Sequence, residues 1–229
     1  MGLIYCTGRQ QDSSTPRGNP SNIELLEAAM TITPEYHRIP RGAIKVPVPD
    51  TTQQTDYSCG ASCLEAVCKY YGVGPNDEWE YVRDLRMDKR IGCHPHQIKR
   101  AAREYGLQFR EHCPMTPTQI VVYLRRRRPV MLMIQAWGEH EGRRGYPRSY
   151  TGVWKNGHWV LAIGYDRTGI YFEDPSLQAV RGYLSHAELE TRWRDTGPYG
   201  KRLHQYGLAI WKPRWSGLSA YVTRAERIG

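Results

Sequence analysis

Apolar and polar residues alternate weakly up to Tyr57 and in sharp patterns from Ser58 onward. Cys63, Ala66, Val67 and Tyr70 fall at i, i+3, i+4 and i+7, which predicts a helix of about three turns starting at or beside Cys59. Gly72 is placed to cap its C-terminus. Ile98, Ala101, Ala102 and Tyr105 repeat the spacing, with Pro95 near the start and Gly106 just past the end. A third helix opens at Thr116 with Pro117 behind it, buries Ile120 and Leu124, and ends in the run Arg125 to Arg128. After Pro129 the period changes. Val130 to Gln135 is a short apolar run suited to a buried strand, and Gly138 to Tyr150 is polar and predicts a loop. His158 to Tyr165 and Gly169 to Phe172 predict two strands joined as a hairpin through Asp166-Arg167-Thr168. Ser185 with Glu188 forms a capping box, Leu184 and Leu189 are placed for a hydrophobic staple, and Gly207 to Trp211 predicts a last strand. Helices precede strands, so the expected class is α+β.

Upstream, residues 1 to about 20 are rich in Gln, Asp, Ser, Thr, Pro and Gly and predict a mobile arm. Ser21 and Glu24 form a capping box that opens a short helix over Ile23 to Met30, and Pro34, Pro40, Pro47 and Pro49 break the following chain into extended segments. A length of 229 residues, 40% of them hydrophobic, suffices for one core, so one domain with an N-terminal extension is expected.

No run reaches the roughly 18–20 apolar residues of a membrane helix. Met1 to Tyr5 is too short for a secretory signal, and Cys6 stands where a myristoylation motif after Gly2 needs Ser or Thr. The expected compartment is therefore the cytoplasm, with Cys6, Cys59, Cys63, Cys68, Cys93 and Cys113 as free thiols. The formal charge of +9 is spread along the chain. Its one local run, Arg125 to Arg128, reads as a solvated helix end whose cations complement the helix dipole, which argues against nucleic acid as a partner.

Chemistry concentrates in Gln53-Gln54-Thr55-Asp56-Tyr57-Ser58-Cys59-Gly60. A cysteine at a helix N-terminus sits at the positive end of the backbone dipole, which favours the thiolate that attacks carbonyl carbon. It also lies beside unpaired backbone N–H groups able to meet an oxyanion, and Gln53 could add a side-chain amide donor. The opposing reading is an inert core thiol. A thiolate needs a proton shuttle. Of eight histidines, His158 differs: Asn156-Gly157 precede it and the apolar run Trp159 to Ile163 follows. A structural, hydrogen-bonded ring is the competing reading. Asp174, directly before Pro175, would lie near the level of His158 if the two strands pair, and could hold the ring. An Asp-Pro turn explains it equally well, and Asn156 and Asp166 remain substitutes.

These residues resemble the bacteriocin-processing cysteine peptidases, the double-glycine leader peptidases, and their stand-alone relatives. The resemblance rests on Gln53 with Cys59-Gly60-Ala61-Ser62-Cys63-Leu64, then Tyr70-Tyr71-Gly72. It continues through His96-Gln97-Ile98, Ala101-Ala102 and Tyr105-Gly106-Leu107 to Arg128-Pro129-Val130. Gly157-His158-Trp159-Val160 with Gly164-Tyr165 is similar to that family's histidine strand, Glu173-Asp174-Pro175-Ser176 to its aspartate turn, and Leu184 to Trp193 to a helix of some stand-alone members. It covers roughly residues 45 to 213, leaving 1–44 as an extension and 214–229 as a tail.

The resemblance implies a papain-like fold, with a helical half carrying the cysteine and an antiparallel sheet carrying the histidine and aspartate. It implies Cys59 as nucleophile, His158 as base, Asp174 as orienting acid and Gln53 as oxyanion donor, with Gln54 as second choice. No Walker motif is present and no transporter follows, so a stand-alone hydrolase of peptide or protein substrates is expected, without cofactor or metal. Three other readings compete. Cys59 and Cys63 with Cys93-His94-Pro95-His96 could form a zinc site, the fold could serve only to hold a peptide or polyanion, or the same thioester could serve an acyltransferase or amidase.

Overall fold

The computed structural model describes residues 38–137, 150 and 152–213. The expected N-terminal arm, the helix over Ile23 to Met30, nearly all of the loop from Gly138 to Tyr150 and most of the tail lie outside those residues.

Helix α1 spans Cys59–Tyr71 and ends where Gly72 takes the left-handed conformation (φ 63°, ψ 48°), its N–H reaching the carbonyls of Cys68 and Lys69. That is the cap glycine supplies without steric penalty. Nearly every side chain of α1 is buried, so the helix is an axle of the core and not a surface element with one wet face. Helix α2 (Glu78–Asp84) was not signalled by periodicity; Asp77 caps it by accepting from Trp79 N at 3.1 Å. Helix α3 (Pro95–Glu104) buries Ile98, Ala101 and Ala102. Helix α4 (Pro117–Arg125) opens with a capping box of Thr116 and Gln119 and buries Ile120 and Leu124. The arginine run wraps its end. Arg125 donates to Tyr165 Oη, Arg127 donates to Lys45 O, and Arg128 lies over the Trp211 ring.

Six strands form one antiparallel sheet: β1 (Gln108–His112), β2 (Val130–Gln135), β3 (Gly157–Tyr165), β4 (Gly169–Glu173), β5 (Gly182–Ser185) and β8 (Gly207–Trp211), in the order β1-β8-β2-β3-β4-β5. Strands β2, β3 and β4 are buried almost end to end, which is why they read as apolar runs and not as alternation. Edge strand β1 is mostly exposed and polar, and only pairing with β8, a hundred residues on, makes it a strand. A short helix α5 (His186–Arg192) opens with the Ser185–Glu188 capping box. After it, β6 (Arg194–Thr196) and β7 (Arg202–His204) make a separate two-stranded ribbon. The class is α+β, as expected, although β1 interrupts the helices and α5 the strands. Among the described residues no helix is long and apolar enough to cross a membrane.

The stretch before α1 is fastened to the sheet. Lys45 N and Val46 N both donate to Ile163 O. At Gly164, beside a bulge between β3 and β4, an added Cβ would stand 2.6 Å from Ala43 O, so only glycine permits this approach. Further along, Glu173, fully buried at the end of β4, accepts from Thr51 N at 2.8 Å and pairs with Arg181, which also donates to Val48 O at 2.7 Å. This buried ion pair binds residues 48–51 to the end of β4. Removing one partner strands the other charge in the core, so Arg181→Met is expected to cost roughly 3 kcal/mol in urea unfolding. The same change combined with Glu173→Leu should cost less than Arg181→Met alone; equal or greater loss would show that the pair is not what holds this junction.

Candidate active site

Three side chains meet where the tip of α1 abuts β3. Cys59 is the first residue of α1, 9% exposed, and no side chain caps the helix, because the Ser58 hydroxyl turns back to Thr55 O. His158 is the second residue of β3, opposite Ile134 of β2, and its ring is buried. Asp174 follows β4 directly. Its Oδ1 lies 2.7 Å from His158 Nε2 and also accepts from Ser176 N at 2.9 Å and Ser176 Oγ at 2.7 Å. The Cys59 side chain stands close enough to the His158 ring to raise its pKa; with Nε2 taken by Asp174, Nδ1 is the ring atom left for sulfur. The two alternatives to Asp174 are occupied elsewhere. Asp166 caps its own hairpin turn, accepting from Thr168 N and Gly169 N, and the Asn156 amide donates to Trp137 O.

Charge follows from this geometry. Burial pushes the His158 pKa down, but the bonds to Asp174 and Cys59 and their charges outweigh it and hold the ring up at about 10. Burial likewise raises Asp174, yet His158 and Ser176 bring its carboxyl below the ordinary value. An imidazolium–carboxylate pair therefore stands at the helix tip at neutral pH.

Gln53 is half-buried. Its backbone N donates to Pro175 O at 2.9 Å, which anchors it beside the Asp174 turn, and its Nε2 donates to Thr55 O at 2.7 Å. A carbonyl can only accept, so this bond fixes which end of the amide is nitrogen. Its Oε1 is buried without a partner among the described residues. Gln54 is exposed, its backbone N donating to Glu78. Cys63, weighed as a metal ligand, is fully buried and donates to Trp159 O at 3.3 Å. Burial pushes the thiols of Cys63 and Cys93 well up and that of Cys68 to about 12, which keeps all three as neutral thiols.

A cleft of about 540 Å³ opens on this tip, with Cys59, Cys93, Trp137, Gly157, Trp159 and Asp195 among its walls. Trp159, which donates from Nε1 to Cys93 O at 3.1 Å, also lines the cleft. Trp137 covers the His158 ring with centroids 5.2 Å apart. Asp195, on the short strand β6, carried no local signal, and Cys93, read from sequence only as a possible zinc ligand, reaches the cleft from the loop before α3.

The His158 pKa has a measurable consequence. Its folded value lies above the unfolded value of about 6.5, so the stability it contributes is complete below that pH and lost as pH rises toward 10. Ring NMR should show His158 still protonated at pH 8, and Asp174→Asn should move its titration to lower pH. A wild-type ring titrating near 6.5 would contradict the pairing.

The Peptidase C39 like family model matches residues 45–201, well over half of the chain. A C39-like peptidase from Bacillus anthracis superposes with a TM-score of 0.55 at 16% identity, covering 74% of this chain and 97% of that one. Two other solved structures are similar, both with a TM-score of 0.48. A double glycine motif protease from an AMS/PCAT transporter, in complex with the leader peptide, is 20% identical and covers 75% of this chain and 95% of its own. The peptidase domain of Streptococcus ComA is 18% identical, with coverages of 70% and 94%. No curated protein matches the chain. At these identities the structural likeness concerns the fold; the family model, spanning both Cys59 and the histidine strand, establishes that this chain belongs to the Peptidase C39 like family.

Proposed function

We propose that this protein is a cysteine peptidase that cuts peptide bonds through a thioester, with Cys59 as nucleophile, His158 as general base and acid, Asp174 as the group that orients the ring, and Gln53 as an oxyanion donor. One observation carries the reading: His158, bonded to the Asp174 carboxylate at 2.7 Å, lies close enough to Cys59 for that side chain to raise the ring's pKa, and Cys59 itself sits at an uncapped helix N-terminus in a cleft wall. An imidazolium facing sulfur is the arrangement that holds a thiolate beside its counter-ion. The sulfur adds to the scissile carbonyl, and the oxyanion is met by the Cys59 N–H and Gln53 Nε2. His158 gives its proton to the leaving amine, then takes one from the water that releases the acyl group. Asp174, held at the same Oδ1 by Ser176 N and Oγ, keeps Nε2 occupied so that Nδ1 faces the reaction.

Peptide as substrate is supported by the rim. Ile91, Trp137 and Tyr199 are large hydrophobic residues exposed to 63%, 42% and 107%, and all three line the one cleft. The domain that does this work is proposed to span residues 45–213.

Limiting iodoacetamide at mildly acidic pH, followed by mass mapping, tests the pair. Cys113 is the exposed thiol among the described residues and Cys59 is nearly buried, so accessibility alone predicts alkylation at Cys113. Preferential labelling of Cys59, abolished by His158→Ala, is the expected result; labelling that follows exposure would refute an activated sulfur. On any peptide the protein is found to cleave, Gln53→Ala should lower kcat by on the order of 10²–10³, and Gln54→Ala should leave it close to wild type.

A further inference from the structure

Asp195 takes no part in the reaction described above, yet it faces the same cleft from β6. Its residue exposure is 8%, and both hydrogen bonds it accepts among the described residues go to one oxygen: Oδ1 receives Thr196 N at 2.7 Å and Gln135 Nε2 at 3.2 Å. Gln135 is fully buried and is itself pinned. It accepts from Asn156 N at 3.0 Å and donates to Arg194 O at 3.1 Å. The carboxylate lies directly over Gly157, where an added Cβ would stand 2.3 Å from both carboxylate oxygens. Glycine immediately before His158 is therefore what lets an acid approach the reacting centre so closely.

Among the described residues the acid has no cation in bonding contact. Neighbouring Arg194 is turned away, its guanidinium over the Trp154 ring and donating to Tyr150 O. Lys89, Arg90 and Lys155 line the cleft from exposed positions. A buried carboxylate with no cation beside it is costly to ionise. Burial raises Asp195 to about 7, with Thr196, Gln135 and the His158 charge opposing. A cation delivered by a ligand would restore the charged form, and Trp137 offers an aromatic face in the same cleft.

We propose that Asp195 is the specificity-determining acid of the cleft, receiving the ammonium or guanidinium group of a substrate peptide at Oδ2, close to the bond that is cut. The inference names a substrate class for the peptidase reading and rests on that reading only for the cutting step.

Binding and cleavage separate the two. Cys59→Ala protein is titrated calorimetrically with acetyl-capped hexapeptides of apolar residues that carry Lys, Arg, norleucine or Glu at each position in turn. For at least one position the Lys or Arg peptide should bind about tenfold tighter than its norleucine counterpart. Asp195→Asn retains an acceptor for Thr196 and Gln135, and it should bring the pair within about threefold of each other. An uncapped norleucine peptide that binds tightly, and loses this with Asp195→Asn, would assign the cation to the α-amine and still support the inference. Equal binding of cationic and norleucine peptides, including no binding of either, overturns it. So does a uniform loss across all peptides in Asp195→Asn, which would make the residue a support for His158. Cleavage of the same peptides by unmutated protein is the separate arm: a cation preference in binding without any cleavage would sink the peptidase reading and leave this one standing.

Discussion

The site hangs on one buried imidazole. A desolvated ring is stable in the core only if its polar atoms meet partners, and here Nε2 is taken by Asp174 while Cys59 stands close enough to raise the ring's pKa. That requirement couples three parts of the chain. The tip of α1, the start of β3 and the turn after β4 must each arrive in register, or the ring is left with an unmet polar atom in the core.

The fold meets the requirement with fixed parts on every side. Strand β2 sets His158 against Ile134, and β4 meets β3 with Leu161 opposite Glu173, beside a register shift between Ala162 and Gly164. Two consecutive acids divide the labour at the end of β4. Glu173 points into the core, where Arg181 and Thr51 hold it, while Asp174 turns to the histidine. The segment that carries Gln53 is thus tied to the strand that carries Asp174, by Thr51 and again by the bond from Gln53 N to Pro175 O. The cleft outside carries exposed apolar and basic residues at its rim and, in its wall, a carboxylate with no ion-pair partner among the described residues.

Much of this could be read along the chain, and what could not has a common cause. The α1 stripe and its Gly72 cap, the capping boxes at Thr116 and Ser185, and the apolar runs of β2, β3 and β4 are local patterns. Each concerns residues within a few positions of one another. Helix α2 offered only seven residues and one capping aspartate, too little for a period to emerge. Strand β1 is an exposed edge with no alternation, and β5, β6 and β7 are three or four residues long. The pairing of β1 with β8 is non-local, and β5, β6 and β7 are too short for a period to emerge, so their own sequence does not announce them.

The same division runs through the site. Sequence alone determined which side chains could do the chemistry: a cysteine at a helix start, a histidine opening an apolar strand, and an acid before a proline. It left Asp174, Asn156 and Asp166 as rivals, because nothing local says which carboxyl or amide reaches a ring across a hairpin. Tertiary structure decided that, through strand register and through the competing bonds that engage Asn156 and Asp166. It also brought in Trp137, Cys93 and Asp195, whose place in the cleft depends on how separate elements pack. Local residues fix propensity and chemistry, whereas distance between groups far apart in the chain is set only when the core closes around them.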